Sequence, residues 1–485
     1  APNRPGRGGE APGGIGTALR QGSGLCGLLQ GRLCSHAAGG AGAAAGQKDL
    51  AVSAEAACVM DLQSGTVLYD KNMNKKEYPA SITKIMTTLV AMDNSSLSET
   101  VKYDDRAYTN WESRASNIGI VDGEKLSMED SLYAIMLASA NEVCNGVAIH
   151  VAGSIENYVA KMNEKAKELG CKNTHFMNPN GLWNKDHYTS PYDMALIGRA
   201  AMQNENFRTI ASTKYYDIGK SNKRKYIDPM GNHHKMLNPG NMPQYGYKYC
   251  IGGKTGYTDK CRYTLVTFAK KGNMELVCVV MKVDGSPYMD TNAYTDTTRL
   301  FNYCFEKYDK TMIQDDTSNE INKEYLFTNF SPFYSKDTSS LHVDSDAGVI
   351  LPKGVTLDKT EKKVTYLQTP EKQNGKNVIG HISYTYNGED VGGADIYYDA
   401  TDAATLKDSI NMTEWFKEAE MTAKKEPFPV KKVMLIVILV ICVAGVSCVC
   451  VIRIRGYQQK TEYRRRYQKA RRHMRKRDRD FYTKR

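Results

Sequence analysis

Three short stretches of this chain carry residue types that could perform nucleophilic chemistry together. The first is Ser81-Ile82-Thr83-Lys84, a hydroxyl and an amine three positions apart within PASITKIMTTLV. Residues i and i+3 share one face of a helix, so the two groups can come within hydrogen-bond reach. A serine hydroxyl is a weak nucleophile until a base takes its proton, and a lysine serves as that base when burial or a second cation lowers its pKa. A serine at a helix start also lies near unpaired backbone N–H groups, which stabilise developing negative charge. Alone, an S-x-x-K is more often a helix cap followed by a solvated lysine.

The other two stretches change that balance. Ser139-Ala140-Asn141 and Lys254-Thr255-Gly256 follow in order, and both S-x-x-K and K-T-G occur once in the chain, whereas S-x-N recurs at Ser409. Each singly has an ordinary structural explanation, such as helix capping for Ser139 and Asn141. Three of them, at a helix start, an interhelical turn and a strand edge, point to one assembled site.

Those contexts come from the patterning. Ile82, Ile85, Met86, Leu89 and Val90 recur at helical spacing after Pro79, which suits a helix entry. AACVMDLQSGTVLYDKN reads as two strands around Gln63-Ser64-Gly65. SMEDSLYAIMLASANEVCNGVAIHVAG reads as two helices, the first capped by Ser127, with Ser139 at their junction. Ser190, Pro191 and Asp193 open a further helix. Strands CIGGKTGYT, YTLVTFAKK and MELVCVVMKV and a closing helix AYTDTTRLFNYCFEKY complete an α+β pattern with an antiparallel sheet. Beyond about Asp315 the texture becomes short strands, with Asn387-Gly388 a hairpin turn. For His187 and Asp193 packing or capping is the expectation.

The formal charge of +11 does not mark a nucleic-acid binder, because the final 33 residues hold 15 Lys/Arg against Glu462, Asp478 and Asp480. The preceding 452 residues are near neutral. Just before that tail, Val433 to Ile452 is a run of 20 residues without a charge. At about 1.5 Å per residue such a helix spans a hydrocarbon core of about 30 Å. Flanking Lys431-Lys432 and Arg453 and the basic tail orient it with the tail inside and the bulk of the chain outside the cytoplasm. The tail is read as a stop-transfer signal whose cations also contact anionic lipid.

The twelve cysteines are scattered and show no C-x-x-C or other metal-ligand spacing. No metal or other cofactor is expected. Cys250 and Cys261 are the one plausible disulfide pair, but buried free thiols are the stronger expectation.

The resulting division is a disordered segment at 1–48, in which AGGAGAAAGQKD resembles the cleavage region of a degraded signal peptide; a catalytic domain at 49–309; a small all-β domain at 315–410; a linker at 411–432; a transmembrane helix at 433–452; and a cytoplasmic tail at 453–485.

The motif order resembles the penicillin-binding proteins and serine β-lactamases, with their S-x-x-K, S-D-N and K-T-G set. YPASITKIMT, IMLASAN, FMNPNGL, HYTSPYDMALI and GGKTGYTDK further resemble the low-molecular-mass D-alanyl-D-alanine carboxypeptidases, over roughly residues 50 to 425. Ala140 departs from the Asp of the S-D-N form.

The resemblance implies that Ser81 attacks the carbonyl between two terminal D-alanines, with Lys84 as base and Lys254 as a second cation that lowers the Lys84 pKa. It gives Ser139 a proton relay and Asn141 a hydrogen bond to substrate or Lys84. Lys254 and Thr255 would bind the terminal carboxylate, Gly256 would keep the strand edge clear for substrate, and the N–H groups of Ser81 and Tyr257 would form the oxyanion hole. Arg262 and Arg299 are further carboxylate candidates by location only. Implied partners are peptidoglycan stem peptides ending in D-Ala-D-Ala, β-lactams and membrane lipid, with no nucleic acid.

Two rivals remain. A β-lactamase shares the acylation machinery, but no E-x-x-L-N stretch lies between Asn141 and Lys254. A catalytically silent wall-binding or scaffold protein is the other, against which stand the intact motif positions.

Overall fold

The strand Ala56–Asp61 is apolar at five of its six positions, and all six are buried. Such a strand has both faces covered, which the rest of the fold supplies. The computed structural model describes residues 50–109, 112, 115–284, 292–313, 341–344, 347–373, 376–398 and 462.

The chain opens with β1 (Ala56–Asp61) and β2 (Val67–Lys71), a 3-10 turn at Ala80–Thr83 and α1 (Lys84–Asn94). A short pair, β3 (Thr100–Lys102) and β4 (Lys125–Ser127), leads into α2 (Met128–Met136), α3 (Asn141–Ala152) and α4 (Ile155–Glu168). Next come α5 (Pro191–Ala201), α6 (Glu205–Ser212) and a second short pair, β5 (Tyr215–Tyr216) and β6 (Met230–Gly231). The strands β7 (Cys250–Thr258), β8 (Arg262–Lys271) and β9 (Met274–Val283) then precede α7 (Asn292–Lys307).

The main sheet runs β2-β1-β9-β8-β7, antiparallel throughout. Its two faces feed two cores. Cys58, Met60, Phe268, Val277 and Val279 point into a cluster with α1 to α6, whereas Val59, Leu265, Cys278 and Val280 point into a cluster with α7. This period of two explains why the strands read as nearly continuous hydrophobic runs.

The helix starts follow the chemistry of their first residues. Ser127 and Asp130 form a reciprocal capping box at α2. Ser190 accepts from the Asp193 N–H at α5, whose first residue is Pro191. Buried Asp193 also accepts from the Asn173 N–H and the Thr174 hydroxyl, a packing role.

A second sheet holds β10 (Tyr308–Met312), β11 (Leu341–His342), β12 (Gly348–Pro352), β13 (Glu361–Gln373), β14 (Lys376–Tyr386) and β15 (Glu389–Tyr398). β14 and β15 are joined by Asn387 and Gly388, both at positive φ, as a two-residue hairpin requires. The second sheet begins with β10 at Tyr308, next to the sequence-based boundary at 309 to 315. α7 runs directly into β10, which pairs with β12, and Ile350 of β12 packs into the α7-side core. Both sheets belong to one compact unit, Ala1–Asp408; Ser409–Arg485 is a second.

The expectations for residues 1–48, the linker at 411–432 and the span at 433–452 lie outside the described residues, as does the tail apart from Glu462. Among the described residues no helix is long and apolar enough to cross a membrane. The seven cysteines between Cys58 and Cys304 are free thiols, the stronger of the two expectations, and the Cys250–Cys261 pair is not formed. Cys250 stands opposite Ala269 at one end of β7, and Cys261 lies past the other end.

Candidate active site

The site begins with a backbone distortion. Ala80, immediately before Ser81, has φ +51, a left-handed conformation uncommon for a residue with a side chain. The Thr83 hydroxyl donates to the Ala80 carbonyl at 2.8 Å, and the Thr264 hydroxyl donates to that of Pro79 at 2.7 Å. Gly181 packs so closely that a Cβ there would stand 2.0 Å from the Ala80 oxygen. Ser81 therefore lies in the 3-10 turn rather than in the helix expected from the sequence, and α1 begins at Lys84.

His187 supports this turn. The Met177 N–H donates to its Nδ1 at 3.1 Å, so its Nε2 carries the proton and donates to Thr83 Oγ1 at 2.9 Å. Burial holds the imidazole neutral, with its pKa pushed down to about 3.

Lys84 is fully buried, and its Nζ has three oxygen partners: Ser81 Oγ at 3.0 Å, Asn141 Oδ1 at 2.8 Å and the Asn180 carbonyl at 2.5 Å. A neutral amine in this position donates to Asn141 and Asn180 and turns its lone pair toward Ser81. Burial lowers the Lys84 pKa, opposed by Cys144 and Glu142. The geometry and the depressed pKa agree on a base for the Ser81 proton.

Lys254, on β7, is also buried, and its Nζ donates to the Thr255 carbonyl at 3.0 Å. Its pKa falls well below the ordinary lysine range through burial first and the charge of Lys84 second. The sequence-based expectation was that Lys254 lowers Lys84. In the structure burial is the first cause at both lysines, and the repulsion between their two charges is mutual. Two ammonium groups without a carboxylate partner disfavour full protonation of the pair. An anion beside Lys254 would favour the return of the proton to it.

Gly256 also has a packing role beyond the one expected from the sequence. A Cβ there would stand 2.3 Å from Thr264 Oγ1, 2.9 Å from the Ser81 nitrogen and 3.0 Å from the Pro79 oxygen. Its missing side chain lets the nucleophile turn seat against the strand. β7 is the edge strand of the main sheet, so part of its backbone is free to pair with a ligand. Thr255 and Tyr257 flank Gly256 and are half-buried. The Tyr257 hydroxyl donates to Asp259.

Ser139 occupies the turn between α2 and α3 at φ +59, nearly buried, and its hydroxyl makes no hydrogen bond among the described residues. Asn141 is the first residue of α3, which lets it reach Lys84.

The two arginine candidates are engaged elsewhere. Arg262 pairs with Asp284 at the exposed end of β8, and Arg299 reaches the Ala51 carbonyl from α7. Among the described residues no group of three or more His, Cys, Asp or Glu side chains could hold a metal. Sequence reasoning missed the Asn180 carbonyl and gave His187 no link to the nucleophile turn. FMNPNGL was the available signal, since its turn residues fix the Asn180 carbonyl in place.

Residues 42–285 match the family model for D-alanyl-D-alanine carboxypeptidase, Peptidase S11. The chain belongs to this family. It is 35% identical over 264 residues to D-alanyl-D-alanine carboxypeptidase DacF of Bacillus subtilis (strain 168), covering 54% of this chain and 64% of that protein. DacB2 of Mycobacterium tuberculosis is 33% identical over 48% of this chain and 78% of its own length. DacA of Escherichia coli (strain K12) is 29% identical over 70% of this chain and 81% of its own. A crystal structure of D-alanyl-D-alanine carboxypeptidase from M. tuberculosis H37Rv superposes with a TM-score of 0.48 at 30% identity, covering 53% of this chain and 92% of that one.

Proposed function

We propose that this protein removes the terminal D-alanine from peptidoglycan stem pentapeptides through an acyl-enzyme on Ser81, and that penicillins acylate the same serine. The contact between Lys84 Nζ and Ser81 Oγ carries this reading, because the lysine's other partners leave its lone pair to the hydroxyl.

Ser81 Oγ attacks the carbonyl carbon between the two D-alanines and its proton passes to Lys84. The oxyanion sits between the N–H groups of Ser81 and Tyr257. Ser139 passes its proton to the departing D-alanine amine and takes up in turn the proton that Lys84 received, the C–N bond breaks, and water then hydrolyses the ester, its proton returning to Ser81. Lys254 and Thr255 hold the terminal carboxylate, and Asn141 fixes the Lys84 amine.

The same proposal anchors the enzyme in the cell membrane through residues 433–452, with the basic tail in the cytoplasm and the catalytic domain outside. Its support is the uncharged stretch of 20 residues between Lys431-Lys432 and Arg453. On this reading the six-stranded sheet is a small all-β spacer between catalytic domain and membrane.

The test is D-alanine release from a peptide ending in D-Ala-D-Ala. Wild type should release it and Ser81→Ala should not. Equal release by both would exclude Ser81 as the nucleophile. For the anchor, full-length chain should stay with membranes in alkaline carbonate while a chain ending at residue 432 should not; co-extraction of both would remove the span.

A further inference from the structure

The Lys84 amine depends on which way the Asn141 amide faces. A Lys84 amine whose lone pair faces Ser81 can only donate to Asn141, and the Ser116 carbonyl is only an acceptor. Asn141 meets both demands in one orientation: Oδ1 toward Lys84 at 2.8 Å, and Nδ2 donating to the Ser116 oxygen at 3.0 Å. The Asn141 main-chain N–H donates to the same oxygen at 2.9 Å. The Ser116 carbonyl therefore sets the amide that faces the base.

Ser116 lies on a loop, and a loop position needs a tether. Ile118, two residues on, is held at both ends of its backbone. Its N–H donates to Glu142 Oε1 at 2.7 Å, and its carbonyl accepts from Arg224 Nη1 at 2.7 Å. Arg224 is itself held by buried Glu124 at 2.8 Å, whose other oxygen accepts from the Val121 N–H at 2.9 Å.

Glu142 directly follows Asn141, and successive helical residues point about 100° apart. One side chain thus reaches the loop while its neighbour reaches the lysine. Glu142 is nearly fully buried, and among the described residues its Oε2 has no hydrogen-bond partner. Burial raises its pKa while the Ile118 N–H opposes that rise.

We propose that Glu142 is a positioning residue for the acylation step: its carboxylate clamps the 115–120 loop, so that the Ser116 carbonyl holds the Asn141 oxygen toward Lys84. This inference rests on the assignment of Ser81 and Lys84 as nucleophile and base. Nothing in the S-x-N motif singles out the residue after it.

The test is a double-mutant cycle on the rate of Ser81 acylation by a fluorescent penicillin, with melting temperatures measured alongside. Glu142→Ala should slow acylation about 10-fold in the wild-type background and less than about twofold in an Asn141→Ala background, because the clamp then has no amide to orient. Glu142→Gln keeps the acceptor for Ile118 while losing the charge, and should stay within about threefold of wild type. If Glu142→Ala fails to fold, the nearly isosteric Glu142→Met goes through the same cycle. Equal cost in both backgrounds, no cost in either, or a Glu142→Gln as slow as Glu142→Ala would overturn the proposal. Wild-type labelling of Ser81 reports on the nucleophile assignment and the ratios report on Glu142, so the two fail separately.

Discussion

Gly256→Ala tests how tightly the nucleophile turn is seated on the strand. The added Cβ would meet Thr264 Oγ1 at 2.3 Å, the Ser81 nitrogen at 2.9 Å and the Pro79 oxygen at 3.0 Å. Thr264 can rotate away, losing its bond to Pro79 at a net cost of about 0.5–1.5 kcal/mol. The Ser81 nitrogen is main chain and has no such freedom. Reaching ordinary contact at 3.4 Å requires it to retreat by roughly 0.5 Å. Since a misplacement of about 1 Å costs on the order of 100-fold, acylation should slow about 10- to 100-fold. The assay is the second-order rate of Ser81 labelling by a fluorescent penicillin. Gly272→Ala is the control, because that glycine has φ +61 and open space around its missing Cβ. It should lower stability without slowing acylation. A folded Gly256→Ala that acylates within about twofold of wild type would refute this account of the glycine.

Ser139→Gly should raise the melting temperature, by the equivalent of about 0.5–1 kcal/mol, because it removes a left-handed side-chain residue. D-alanine release should fall at least about 100-fold with the relay hydroxyl gone; a loss of both stability and activity would show that the turn is unstrained. On the proposed mechanism the free amine of Lys84 is the reactive form, so acylation should rise with pH through a limb below the ordinary lysine value of about 10.4. Lys254→Met removes a neighbouring cation, so Lys84 keeps its proton to higher pH and the limb should move upward; a downward or absent movement would deny the coupling. For His187, the folded-state pKa of about 3 lies below the unfolded value of 6.5. The unfolded chain therefore binds more protons between them, and stability is complete above pH 6.5 and falls as pH drops. This group alone should contribute a loss of about 3 kcal/mol by roughly pH 4.5. Denaturation midpoints of His187→Gln should show a shallower acid slope than wild type, and an unchanged slope would mean that His187 is not buried as a neutral ring.

Much of the site was legible because the chemistry demands particular side chains. Ser81, Lys84 and Asn141 could be named from spacing, and the structure joins them by direct hydrogen bonds. Main-chain contributions left no such trace. The Asn180 carbonyl, 96 positions from Lys84, is an acceptor that any residue type could provide. The left-handed Ala80 was hidden because alanine does not announce positive φ as glycine does. The packing role of Gly256 was hidden, since only the packed turn shows what its Cβ would strike. In the fold, capping residues marked the starts of α2 and α5, while β10 escaped notice because its pairing with β12 spans a long stretch of sequence.

The most direct test of the central claim is the mass of the intact protein after exposure to a penicillin, followed by peptide mapping, for wild type, Ser81→Ala and Lys84→Ala. The account predicts one covalent adduct on Ser81 in wild type, none in Ser81→Ala and much slower formation in Lys84→Ala. An adduct on another residue, or one that forms as fast without Lys84, would contradict the assignment of Ser81 as nucleophile and Lys84 as its base.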